Sequence, residues 1–106
     1  TQAAEDLQLL PSIEKEAAAK PTGDALIKMG EAYLGHGQYE KAIAAFKGGL
    51  AKGGVKIQDE VNINIGIAYM ALNKSQEAIS AFKTVPSSSH LALMSRLWAI
   101  QAAKAK

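Results

Sequence analysis

Histidine side chains can bind a metal ion or transfer a proton, so they are the first candidates for chemistry in this chain. The 106-residue chain has two of them, His36 and His90, in separate turn-like segments, and it has no cysteine. A metal site would need both histidines together with carboxylates. We therefore interpret the two histidines as solvated turn residues and predict no metal site.

Short clusters of serine, glycine and glutamate are the other candidates for chemistry. Residues 87–89 are serines in front of a predicted helix, where an anion can bind but where serine ordinarily caps the helix. Gly-His-Gly at 35–37 follows no strand, so we interpret it as a turn between helices and not as a phosphate loop. Glu14 and Glu16 are charges of a solvated helix. We predict no catalytic residue, no enzyme activity and no cofactor.

The charges and the apolar runs exclude further classes of partner. Lysine and arginine number 12 against 10 acids, and residues 78–106 contain four basic residues and no acid. This small excess of basic residues is too weak to indicate a nucleic-acid interface, which needs clustered cations on one face. No apolar run approaches the ~20 residues of a membrane span, so we predict no membrane insertion. The first residue is Thr1 rather than methionine, and the sequence shows no basic-then-apolar leader, so we expect a piece of a longer protein.

Breaker residues divide the chain into segments of helical length. The spacing of apolar residues predicts helices over 24–34, 38–51, 58–72, 75–84 and 89–103, with Ser75 as an N-cap. The alternation of Val61, Ile63, Ile65 and Ile67 is also typical of a strand, but the acids that precede it favour a helix. Because proline fits the first turn of a helix, we expect one helix to residue 9 and another over 11–19, or one kinked helix.

Two parts of the chain repeat one pattern of small and large residues. The offset is 36 positions throughout. The matched residues are Gly30 with Gly66, Tyr33 with Tyr69, Gly37 with Asn73, Ala42 with Ala78 and Phe46 with Phe82. These are residue types that packing and turns constrain, so the repeat predicts two similar helical hairpins.

This pattern resembles the tetratricopeptide repeat, a helix–turn–helix unit with a G-x2-Y…A-x3-F signature. It departs from the family at Leu26 and Asn62, where tryptophan often stands, and in its longer repeat. The resemblance implies an all-α fold, a right-handed α-solenoid of antiparallel helix hairpins. We expect a single domain over 1–106, with an N-terminal helical segment (1–20), two repeats (23–56 and 59–85) and a capping helix (88–105).

The family pattern assigns packing roles within each repeat. The glycine implies a close crossing of the two helices, the tyrosine and alanine fill the space around it, and the phenylalanine seals the unit against its neighbour. Leu91, Met94, Ser95 and Trp98 echo the first helix of a repeat, so the last helix resembles a degenerate cap. The predicted packing residues are Gly30, Tyr33, Ala42, Phe46, Gly66, Tyr69, Ala78, Phe82 and Trp98.

In tetratricopeptide proteins the first helices of successive units line a concave groove that binds peptides or helices. The residues between the packing positions are the candidates for this groove: Asp24, Ile27, Glu31, Leu34, Glu60, Ile63, Ile67, Met70 and Arg96. One subclass grips a C-terminal carboxylate with lysine and asparagine, but Ile27 and Glu31 stand at those positions. Although Asn64 is present, we predict no carboxylate clamp.

Two interpretations of function follow from this resemblance. The first is a non-catalytic scaffold that binds a peptide or partner protein through the concave face. The alternative is a structural segment that mediates self-association or docks onto the rest of its parent chain. The pattern also looks like C-terminal repeats of bacterial envelope or general tetratricopeptide proteins, which implies a soluble protein of the bacterial periplasm or cytoplasm.

Overall fold

Helices account for all regular secondary structure in residues 12–104, the part of the chain that the computed structural model describes. Residues 12–18 form helix α1, and five longer helices follow. These are α2 (Asp24–Gly35), α3 (Tyr39–Lys52), α4 (Gln58–Ala71), α5 (Ser75–Lys83) and α6 (Ala92–Lys104). The prediction of an all-helical chain is confirmed, and Val61 to Ile67 lie in a helix rather than a strand. The predicted helix to residue 9 and the break at Pro11 lie outside the described residues.

The chain divides into two compact units, one ending at Lys56 and one beginning at Ile57. In the first unit, α2 and α3 pack against each other as a hairpin. Its turn depends on Gly37, which has a φ of 75°. The N–H of Gln38 donates to the carbonyl oxygen of Tyr33 at 2.8 Å, and that of Gly37 donates to Leu34 at 3.1 Å. This pair of bonds ends α2 in a Schellman motif.

The second unit builds the same turn between α4 and α5. Asn73 takes the place of the glycine, with a φ of 61°, a conformation that asparagine tolerates. Lys74 N–H donates to the carbonyl oxygen of Tyr69 at 2.9 Å. Lys74 then serves directly as the N-cap of α5, without a side-chain hydrogen bond. The prediction of Ser75 as N-cap was wrong, because this turn is so tight that Ser75 is already the first helical residue.

Each hairpin is closed by a phenylalanine ring that lies over a glycine. A Cβ built on Gly30 would stand 2.5 Å from the ring of Phe46, and one built on Gly66 would stand 2.4 Å from the ring of Phe82. Both rings are buried. Both positions therefore require glycine, because the phenylalanine ring of the same repeat occupies the space that a side chain would need.

Two hydrogen bonds join the C-terminal end of α3 to the segment before α2, at the open end of the first hairpin. The Lys52 side chain donates to the carbonyl oxygen of Lys20 at 2.9 Å. Gly23 N–H donates to the carbonyl oxygen of Gly53 at 3.0 Å. In α1, Ala17 is buried and Ile13 is exposed.

The last helix begins later than predicted, at Ala92 instead of residue 89. Ser89 precedes it, and the Ser89 hydroxyl oxygen accepts a hydrogen bond from the N–H of Leu91 at 3.1 Å. Helix α6 packs on α5. Its buried Ser95 donates a hydrogen bond from its hydroxyl to the carbonyl oxygen of Phe82. None of the described helices is long and apolar enough to span a bilayer.

Candidate functional site

A groove runs between α4 and α6 in the second unit. Its volume is about 350 Å3. Its lining residues are Glu60, Ile63, Asn64 and Ile67 from α4, Leu91 immediately before α6, and Met94 and Trp98 within α6. We call this surface the α4–α6 groove. Three of the predicted groove residues line it.

The lining of the α4–α6 groove is mostly apolar, with two polar groups. Ile63 is buried, while Ile67 and Trp98 are half-buried and so remain accessible to a ligand. Glu60 is exposed in the first turn of α4, where the helix dipole favours a negative charge. Asn64 supplies an amide that can both donate and accept hydrogen bonds. This combination suits a peptide segment with an apolar side chain and a cation.

Core packing holds Trp98 in the wall of the groove. Its indole stacks on the Phe82 ring with centroids 6.1 Å apart and planes at 19°. Phe82 in turn lies over Gly66. Consequently the glycine–phenylalanine contact that closes the hairpin also positions an aromatic side chain of the groove.

The predicted groove residues of α4 are only partly available to a partner. Glu60, Ile63 and Ile67 all line the α4–α6 groove. Ile63 is only 5% exposed and belongs to the core cluster with Phe82, so it forms the floor of the groove rather than a contact surface. Met70 does not line the groove and packs against that same core cluster.

The predicted groove residues of α2 lie in the first unit. Asp24 and Glu31 are exposed, and Leu34 is half-buried. Ile27 is 2% exposed, and its side chain lies where a Cβ on Gly49 would stand, so it cannot contact a partner. The prediction for Ile27 was wrong, because that side of α2 packs against α3.

Arg96 was also predicted to line the groove, but the structure places it elsewhere. It lines a separate cavity of about 300 Å3 between α5 and α6, together with Lys83 and Ser87. On a helix, Arg96 lies two positions from Met94 and from Trp98, so it projects from a different side of α6.

Three residues that line the α4–α6 groove were not predicted from the sequence to do so. Leu91, Met94 and Trp98 were matched to packing positions, with Ser95 as the small residue of a first helix. The structure sets a different register: Ser95, Ala99 and Ala102 of α6 repeat the spacing of the buried Val61, Ile65 and Ala68 of α4 at an offset of 34, and Ser95 and Ala102 are buried as well. With that offset Met94 corresponds to Glu60 and Trp98 to Asn64. The spacing of Ser95, Ala99 and Ala102, matched to that of Val61, Ile65 and Ala68, is the signal in the sequence that points to this register.

The other predicted packing residues are found mostly in the interior. Seven are buried: Gly30, Tyr33, Ala42, Phe46, Gly66, Ala78 and Phe82. Tyr69 and Trp98 are half-buried. The buried Tyr33 hydroxyl donates to a carboxylate oxygen of Glu14 at 3.0 Å. Burial, this hydrogen bond and the charge of Glu14 together raise the pKa of Tyr33.

Comparison with known families matches both hairpins to one repeat type. A tetratricopeptide repeat model matches residues 24–48, and a second model of the same repeat matches residues 59–85. The chain is a tetratricopeptide repeat protein. Comparisons with curated proteins and with solved structures give no match.

Tetratricopeptide repeats generally mediate protein–protein interaction and are generally non-catalytic scaffolds. The two matched segments contain α2 with most of α3, and α4 with α5. The α4–α6 groove therefore combines the first helix of the second tetratricopeptide repeat with the helix that follows that repeat. Within residues 12–104, no three histidine, aspartate or glutamate side chains come together as metal ligands.

Proposed function

We propose that this tetratricopeptide repeat protein binds a peptide segment of a partner protein in the α4–α6 groove. The observation that supports this is the lining itself, in which accessible apolar side chains lie beside one carboxylate and one amide. A segment with an aliphatic or aromatic side chain can fill the space between Ile67 and Trp98. Burial of that side chain contributes roughly 1.5–3 kcal/mol.

The polar groups of the groove define the rest of the partner segment. Glu60 favours a lysine or arginine on the segment and disfavours a carboxylate. Asn64 can hydrogen-bond the backbone of an extended or helical segment. A peptide that ends in acidic residues is therefore a poor ligand, in agreement with the absence of lysine from the predicted clamp positions.

Selection of peptides from a random displayed library on the full chain tests this proposal. We expect enriched sequences that combine a bulky apolar residue with a basic residue. Binding of a selected peptide, measured by calorimetry, should weaken about tenfold or more in Ile67→Asp and in Glu60→Lys, since both changes remove central groove contacts.

The matched control is Glu77→Lys, which reverses an exposed acid on α5 outside the groove. It should bind the selected peptide as the unchanged chain does, and circular dichroism checks that all three variants fold. Equal losses in Glu60→Lys and Glu77→Lys would show a general charge effect and contradict the proposal. Full binding by Ile67→Asp would place the peptide elsewhere.

A further inference from the structure

Helix α6 carries an exposed apolar stripe on its outer side. Leu93 is 65% exposed, Leu97 59% and Ile100 55%. Their spacing of four and three positions places them on one face of the helix. The neighbouring Met94 is also exposed, so four of the six large apolar residues that are exposed in the described chain lie on α6. We call Leu93, Leu97 and Ile100 the α6 stripe.

The α6 stripe occupies the helix positions that pack against the second helix in each hairpin. With the offset of 34 that the burial pattern gives for α4 and α6, Leu97 corresponds to Ile63 and Ile100 to Gly66. Gly66 lies under the Phe82 ring of α5, and Ile63 belongs to the same core cluster as Phe82. In α4, therefore, this face is covered by α5.

The first hairpin uses the same positions in the same way. Ile27 and Gly30 precede Ile63 and Gly66 by the repeat offset of 36. Ile27 meets Gly49 of α3, and Gly30 lies under the Phe46 ring of that helix. A covering helix is thus present at the corresponding face of both α2 and α4, and none of the described residues covers it on α6.

The other face of α6 is already occupied by its own unit. Ala92, Ser95 and Ala102 are buried. Ser95 is bonded to the carbonyl oxygen of Phe82 in α5. Since α6 packs on α5 through these small residues, the α6 stripe lies on a separate face and remains available to an additional helix.

Charge indicates what kind of helix can cover the stripe. Arg96 and Lys104 are exposed on α6, and residues 78–106 contain no acid. A second copy of α6 would bring only like charges to this surface, whereas acidic side chains would be complementary. We propose that the α6 stripe binds an amphipathic helix of a partner protein whose apolar face is flanked by aspartate or glutamate.

The shape of the stripe adds one requirement for the partner helix. At the position where α2 and α4 have glycine, α6 has Ile100. The covering helix must therefore have a small residue opposite Ile100. In the hairpins the arrangement is the opposite, because the first helix has the glycine and the covering helix has the phenylalanine. A hollow of about 440 Å3 lined by Met94, Leu97, Trp98 and Gln101 lies beside the stripe and can take a larger side chain.

Two synthetic amphipathic helical peptides test the proposal. They share one leucine–alanine face, and one has glutamate flanks while the other has lysine flanks. Trp98 is the only tryptophan of the chain and lines the hollow, so its fluorescence reports binding, with calorimetry as a second measurement. We expect saturable binding of the acidic peptide and at least about tenfold weaker binding of the basic one.

Variants locate the site and separate this surface from the α4–α6 groove. Leu97→Asp, at an exposed position, should abolish binding of the acidic peptide, and Arg96→Glu should remove the preference for it. Ile67→Asp, in the groove, should leave binding unchanged. Equal affinity for both peptides, or loss only in Ile67→Asp, overturns the proposal. A dimer in sedimentation that Leu97→Asp dissociates would identify a second copy as the occupant and overturns it as well.

Discussion

Gly23 and Gly49 meet backbone to backbone where α2 begins beside α3. A Cβ built on Gly23 would stand 1.8 Å from the carbonyl oxygen of Gly49. A Cβ built on Gly49 would stand 2.8 Å from the carbonyl oxygen of Gly23 and 2.7 Å from the Cδ1 atom of Ile27. The two helices can approach this closely only because neither residue has a side chain.

The adjacent glycines of α3 should respond in opposite directions to alanine. Gly49→Ala forces the backbone of Gly23 or the packed Ile27 to move, so we expect it to lower the free energy of unfolding by about 1–3 kcal/mol. A Cβ built on Gly48 would meet only the Cδ1 atom of Leu26, at an ordinary contact distance of 3.6 Å. Gly48→Ala should therefore raise that free energy by about 0.5–1 kcal/mol, through helix propensity. Urea unfolding measures both, and equal effects would contradict the close approach.

The contact between Gly66 and Phe82 predicts a coupled pair. Gly66→Ala should destabilise the chain by about 1–3 kcal/mol, because its methyl group displaces a ring that is packed on all sides. Phe82→Leu provides space for that methyl group, so the double variant should lose less stability than the two single losses summed. Denaturant unfolding of the four proteins measures the coupling. Simple additivity would show that the ring does not limit the space at Gly66.

Much of the hairpin architecture could be predicted from the sequence. Gly30 and Gly66, each with the phenylalanine that follows it, are tightly constrained by packing. The repeat can therefore be recognised from the sequence alone. Gly48 and Gly49 inside a predicted helix suggest either a close backbone or a frayed helix, but the sequence does not identify the partner, because Gly23 lies in a turn and belongs to no periodic pattern. Only the three-dimensional approach of Gly23 and Gly49 explains why α3 contains a second glycine.

The candidate groove was harder to predict, for two physical reasons. An apolar helix face does not reveal whether a second helix covers it, so Ile27 was taken as accessible although α3 buries it. Ser95 is small because it packs under the carbonyl oxygen of Phe82, and using it as the repeat glycine shifted the register of α6. That shift hid the correspondence of Met94 and Trp98 with groove positions.

Ser95 should contribute to stability through its buried hydrogen bond. Ser95→Ala removes the hydroxyl that donates to Phe82 and leaves that carbonyl oxygen less satisfied. We expect a loss of about 0.5–1.5 kcal/mol in the free energy of unfolding. Ser88→Ala, at an exposed turn position, is the matched control and should change little. A similar effect of both changes, measured by thermal unfolding, would argue against a structural role of the Ser95 bond.

Tyr33 should make the folded chain sensitive to alkaline pH. Its pKa is raised above the ordinary value of 10.0 by burial, by its hydrogen bond to Glu14 and by the charge of Glu14. Folding therefore favours the neutral phenol, and this stabilisation is complete below pH 10 and is lost as the pH rises through the folded-state pKa. Near-ultraviolet absorbance should show one tyrosine that ionises late.

The variant Tyr33→Phe should lack this late component and should lose less stability than the unchanged chain between about pH 8 and about pH 11. Tyr39→Phe is the matched control, because it leaves the contact of Tyr33 with Glu14 intact. If the late component persists in Tyr33→Phe, then Tyr33 is not the residue with the raised pKa.

The most direct test of the proposed groove is a nuclear magnetic resonance titration with a library-selected peptide. The indole N–H of Trp98 and the side-chain amide of Asn64 give separate signals on the two helices that form the groove. Binding in the α4–α6 groove predicts that both signals shift together, saturate together, and stay unchanged in Ile67→Asp. A peptide that binds tightly while neither signal moves would contradict the central claim.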